Sequence, residues 1–164
     1  MPESQLVATA YHEAGHAIAS LFYGLPLRSV SIKVIGTSSG RVEPGPALVL
    51  LPTRQTCMII NSLLAGAVAE TYFTPLRGGW ADDCQRAFDF ATLLLRAHAK
   101  RARQLLHRCR RITEMLIQLA HRDVQRVAIA LLKDEELSRQ QVILTIHEPI
   151  YRPRFDHNAV FEAK

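Results

Sequence analysis

His12-Glu13-Ala14-Gly15-His16 constrains this chain more than any other stretch. Two imidazoles four residues apart project from one face of a helix and can share one metal ion, with the intervening carboxylate beside them. Zinc accepts imidazole nitrogen readily, and a catalytic zinc site uses three protein ligands, leaving a fourth position for a water whose pKa falls to about 7. Glu13 is then positioned to take the proton from that water. The surroundings read as a helix. Leu6, Val7, Ala10, Ala14, Ala17, Ile18, Leu21 and Phe22 recur at helical spacing, and Gly24 followed by Pro26 gives a stop. A plain core helix with hydrogen-bonded histidines is the competing account, but two His and a Glu are costly to bury without partners.

At 164 residues, 48% hydrophobic and 21% charged, the chain has the composition of one ordinary globular domain, long enough to bury a core unaided. No apolar run approaches the roughly 18 residues of a membrane span, and the N-terminus lacks a basic region followed by an apolar signal core. The expected compartment is the cytoplasm. Cys57, Cys84 and Cys109 are odd in number and widely spaced, so neither a disulfide framework nor a structural zinc finger is indicated. The net charge of +5 is concentrated in Arg96, Lys100, Arg101, Arg103, Arg108, Arg110 and Arg111, with no acid between Asp89 and Glu114. Such a run is an anion-binding surface or the solvated face of a helix. Without a recognition motif or an aromatic platform, nucleic acid is not the expected partner.

Along the chain, Ser29 to Ile35 alternates, with Val30, Ile32 and Val34 on one face, as in a half-buried strand. Residues 36–40 have turn composition, and Arg41-Val42-Glu43 reads as a short returning strand before Pro44, Pro46 and Pro52. Thr53 is a candidate N-cap for a second helix that carries Met58, Ile59, Leu63, Leu64, Ala67 and Val68 and ends near Phe73. Gly66 and its small neighbours permit close approach of another helix. Glu70 either orients a metal-bound His or sits at an exposed helix end. After a loop at Arg77-Gly78-Gly79-Trp80-Ala81, Asp82-Asp83 begins a third helical pattern, one Asp suited to capping and the other to facing the metal. Helical spacing continues through Cys109, Ile112, Leu116, Val127 and Leu131, and Ser138 with Gln141 forms a capping box for a last short helix.

Ala10-Tyr11-His12-Glu13-Ala14-Gly15-His16-Ala17, Gly66-Ala67-Val68-Ala69-Glu70 and Gly79-Trp80-Ala81-Asp82-Asp83 occur in this order and resemble the peptidase domain of FtsH-type ATP-dependent zinc metalloproteases. The likeness continues through Val30-Ser31-Ile32, like the strand after that family's first helix, and through Ala130 to Leu137, like its C-terminal helical hairpin. It spans most of residues 5 to 145 at low identity. The resemblance implies a mainly helical domain with one small sheet, and zinc held by His12, His16 and an Asp that by position is Asp83. It implies Glu13 as catalytic base. It also implies a substrate laid as an added strand along the sheet edge in the region from Ser29 to Val42, with Val30, Ser31 and Ile32 as the contact residues. In the same alignment Asp82 is the better helix N-cap, and Cys84 remains a chemically suitable zinc ligand.

Three departures from the family matter. Arg77-Gly78-Gly79-Trp80-Ala81 replaces its usual Ser-Thr-Gly-Ala lead into the third ligand, Ala67 stands where it often has Arg, and the 164 residues contain no P-loop G-x-x-x-x-G-K-[ST]. Without an unfoldase, the expected substrates are peptides or unfolded proteins, and a separate ATPase or self-association is the implied partnership. The expectation is therefore a mainly α, helical metallopeptidase-like domain over residues 1–146, with one small β-sheet or hairpin, followed by a tail at 147–164 that is extended or disordered. The expected function is zinc-dependent endopeptidase cleavage of peptides or unfolded proteins. The alternative is an inactive or regulatory module of the same fold that binds a protein partner.

Overall fold

The computed structural model describes residues 2–35, 38–43, 53–75 and 80–146. Its central element is α1 (Glu3–Tyr23), in which Ala10, Ala14, Ala17, Ile18 and Ala19 have no exposed surface. A helix apolar on nearly every side belongs inside the protein. Gly24, at φ +67°, ends it: the N–H groups of Gly24 and Leu25 donate to the carbonyls of Leu21 and Ser20 at 3.2 and 2.8 Å. This left-handed cap is the stop that the glycine announced.

α2 (Thr53–Phe73) runs antiparallel to α1. Asn61 donates to the Tyr23 hydroxyl, the hydroxyls of Ser20 and Ser62 meet, and Tyr11 stacks on Phe73 with ring centroids 4.5 Å apart. The close approach depends on Gly15. A Cβ there would stand 2.5 Å from the Ala65 carbonyl oxygen and 2.7 Å from the Ala69 Cβ.

The opposite face of α2 packs Cys57, Ile60, Leu63 and Leu64 against Ala87 and Ala91 of α3 (Ala81–Leu94) and Ala102, Leu105 and Cys109 of α4 (Ala99–Leu119). Contrary to the expectation of no such stretch, α2 is long and apolar enough to cross a membrane, but 61% of the qualifying stretch is buried. It is flanked by helices on both sides. α5 (His121–Asp134) covers the remaining side of α1 with Val124, Val127, Ala128 and Leu131.

From Glu135, at φ +60°, the chain turns into β3 (Glu136–Ser138) and then α6 (Arg139–Thr145). The expected capping box opens α6: the Ser138 N–H donates to Gln141 Oε1 at 2.8 Å, and the Gln141 N–H to Ser138 Oγ at 3.3 Å.

The fold is mainly α with one small antiparallel sheet, as expected, but the sheet has three strands in the order β2-β1-β3 rather than being a hairpin. β1 (Ser29–Ile35) pairs with β2 (Ser38–Glu43) on one side and with β3 on the other. β3 falls partly within a segment read as helical, because three residues give no alternation to detect. Between Ser31 and Val34 the register slips, so that Ile32 and Lys33 stand opposite Gly40 alone. This bulge interrupts the alternation expected through β1. Residues 38–40, expected in a turn, belong to β2. Residues 36–37, the prolines at 44, 46 and 52, the segment 77–79 and the tail 147–164 lie outside the described residues.

Replacing Gly15 with Ala is expected to destabilise the protein by about 1–3 kcal/mol, because the new methyl meets a backbone carbonyl that cannot turn away. Urea unfolding measures this. An unchanged midpoint would mean that α1 and α2 do not approach so closely.

Candidate metal centre

The two imidazoles leave α1 on the face that meets α2, and α3 begins beside them. His12 Nε2 and His16 Nε2 lie 3.0 Å apart, and Asp83 Oδ2 lies 3.2 Å from the first and 3.0 Å from the second. Ligands bonded to zinc at about 2.0–2.1 Å in a tetrahedron are separated by about 3.3–3.4 Å. The three atoms thus span nearly one face of such a site, and their nitrogen and oxygen chemistry suits a divalent metal. Among the described residues this is the one such convergence of His, Cys, Asp and Glu.

A second layer holds the rings. The Nδ1–H of His12 donates to Glu70 Oε2 at 3.2 Å, and the Nδ1–H of His16 donates to the Ser62 carbonyl at 2.7 Å. A carbonyl only accepts, so Nδ1 of His16 carries a proton, and Nε2 is the nitrogen that a metal would take. Of the two readings of Glu70, the structure selects the buried one: it is 3% exposed and against His12. Ser62, Gly66 and Glu70 recur every fourth residue and so share one face of α2. A Cβ on Gly66 would lie 2.4 Å from His16 Nε2 and 2.6 Å from His12 Nε2, so bare backbone borders the ligand nitrogens. The sequence suggested Gly66 only as a helix-packing residue and did not single out Ser62. The every-fourth spacing of small and polar residues in an apolar helix is the signal that would have found Gly66, whereas the contact at Ser62 is made by a main-chain carbonyl that any residue carries.

Glu13 is buried, and its Oε2 has no hydrogen-bond partner among the described residues. Burial pushes its carboxyl up, against the opposing pull of His16 and His12. A carboxylate so destabilised gains by taking up a proton. For His12, burial alone would lower the imidazole, but hydrogen bonds to Asp83 and Glu70, with the charge of Glu13, push it up to about 9. Asp83 is held well below the usual carboxylate range: burial works against this, and the hydrogen bonds from His12 and His16 prevail. Three carboxylates thus surround two imidazoles, an arrangement that favours a cation.

Of the three adjacent candidates for the third ligand, only Asp83 meets the histidines. α3 starts at Ala81 with Trp80 at the cap position, so Asp82 is an exposed first-turn residue and not the N-cap expected of it. Cys84 packs instead against the cluster between α2, α3 and α4, where burial and neighbouring Asp83 push its thiol up. The substrate contacts expected at Val30, Ser31 and Ile32 are corrected. β1 is the central strand, Val30 pairs with both Val42 and Leu137, and Ser31 with both Arg41 and Glu136. The Ile32 N–H is taken by the Glu135 carbonyl at 2.8 Å, and Val30 and Ile32 are buried. This stretch has no free edge for an added strand.

Asp83→Asn is expected to weaken metal binding more than about tenfold in a competition titration with a chromogenic chelator, whereas Asp82→Asn and Cys84→Ser should stay within about twofold. Loss of metal in either control with retention in Asp83→Asn would reassign the third ligand.

A second expectation concerns metal-stripped protein. The folded-state value of His12, about 9, lies above its ordinary 6.5, so protonation favours the fold. That contribution, roughly 3 kcal/mol at about 1.4 kcal/mol per pKa unit, is fully present below pH 6.5 and lost as pH rises through about 9. Unfolding midpoints across this window should fall for the stripped protein and stay level for the metal-loaded one, in which His12 is already neutral.

No family model matches the chain, and no curated protein matches it, so the chemistry assigned to these residues rests on their own geometry.

Proposed function

We propose that this chain is a zinc-dependent endopeptidase that cleaves peptides or unfolded proteins and is related to the peptidase domain of FtsH-type metalloproteases. The observation that carries the reading is one buried cluster. Three candidate ligand atoms converge within 3.0–3.2 Å of one another, and the Glu of the same motif keeps an oxygen that has no partner among the described residues. Zinc fits the donor set of two imidazoles and a carboxylate, and when bound it would polarise a peptide carbonyl and acidify a water.

The chain's own residues do the rest. Glu13 accepts a proton from the attacking water and passes it to the leaving amine, a role that its raised carboxyl suits. Glu70 and the Ser62 carbonyl hold the two imidazoles in the tautomer that presents Nε2. The outer side of β2 is the longer sheet edge among the described residues, and an extended peptide would pair there. The altered lead before Asp83 was the reason to consider an inactive binding module. Asp83 meets both histidines despite it, which supports the catalytic reading.

Glu13→Gln should lower cleavage of an unfolded protein, assayed without nucleotide, by at least ~100-fold while one zinc per chain is retained, because the amide keeps the size and cannot accept the proton. Loss of zinc together with activity would make Glu13 a ligand or a structural residue and overturn this mechanism.

A further inference from the structure

α4 carries a feature that the metal centre does not use. Its buried face consists of Ala102, Leu105, Cys109, Thr113, Leu116 and Ile117. At about 100° per residue, Lys100, Arg101, Arg108, Arg111, Met115 and Leu119 fall within one arc of about 100° on the outer side. No carboxylate shares that arc. Glu114 lies beyond it and is engaged by Arg110 at 3.0 Å. Lys100, Arg101 and Arg111 are exposed, and the arc ends in two uncovered aliphatic side chains, Met115 at 52% and Leu119 at 70% exposure. The stripe is about 28 Å long.

We infer that this face of α4 docks the protein on an anionic lipid surface. A negatively charged headgroup layer attracts the Lys and Arg residues, and the boundary beneath it accepts Met115 and Leu119, so one orientation satisfies both ends of the stripe. A nucleic acid satisfies only the cationic end. Its phosphates do not reward exposed aliphatic residues, and the arc offers no aromatic ring for a base to stack on. The buried opposite face of α4 makes the docking peripheral: the helix lies on the surface while its core contacts stay intact.

Sedimentation with vesicles tests this, using about 30% phosphatidylglycerol in phosphatidylcholine against phosphatidylcholine alone. Binding to the anionic vesicles is expected to be at least about tenfold stronger and to weaken with salt. The triple variant Lys100→Glu/Arg101→Glu/Arg111→Glu should abolish it. Met115→Ser/Leu119→Ser, at exposed positions that leave the core untouched, should reduce it several-fold while circular dichroism and metal content stay unchanged. A single-stranded oligonucleotide serves as the competing ligand. Equal binding to both vesicles, binding to neither, or tight oligonucleotide binding indifferent to Met115→Ser/Leu119→Ser would each overturn the inference. Because these residues lie outside the metal centre, failure here leaves the peptidase reading standing.

Discussion

Everything at the candidate site depends on how closely α1 and α2 approach. Two glycines, one from each helix, set that distance: Gly15 admits Ala65 and Ala69, and Gly66 admits the imidazoles of His12 and His16. Because the helices run antiparallel, the two histidines straddle Gly66 of α2: His16 reaches Ser62 four residues before it, and His12 reaches Glu70 four residues after it. Sliding one helix by a turn, about 5.4 Å, would break all of these contacts together. The site is therefore a property of the helix pair before it is a property of any side chain.

That register also explains how two His and three carboxylates tolerate burial. Each imidazole has a partner for Nδ1, and Asp83 faces both rings while its other oxygen lies 3.8 Å from Arg86. The unsatisfied atom in this cluster is Glu13 Oε2. A purely structural network would be expected to close that gap, since an unpaired buried carboxylate oxygen is costly. A proton-transferring group needs it open. Satisfied neighbours around one carboxylate oxygen that is unpartnered among the described residues are compatible with the proton-transfer role proposed for Glu13.

The sheet has a supporting part near this centre. With β1 paired on both sides and Val30 and Ile32 turned into the core, the strand joins the core shared by α1 and α5, and the outer side of β2 is left as a sheet edge. The charges of α4, by contrast, stand on an outer surface, remote in role from the buried carboxylates around His12 and His16. The basic excess of the sequence and the acidic character of the site are thus separate features of one molecule.

The elements visible in the sequence were those governed by neighbours within one or two turns. The helix around His12 and His16, its end at Gly24, the Ser138–Gln141 capping box and the strand from Ser29 follow from local periodicity and capping chemistry. Three things were not legible. β3 is too short to show a period, and it exists because β1 has a second edge to pair. The Ser62 carbonyl has no side-chain signature. Asp83 was named through a family likeness, whereas its selection over Asp82 and Cys84 is a matter of the phase at which α3 leaves Trp80. The contacts that make the site join residues 46, 58 and 71 positions apart. Spacing along the chain determined which faces carried the chemistry, and only helix packing, limited by glycine-sized gaps, decided which atoms meet.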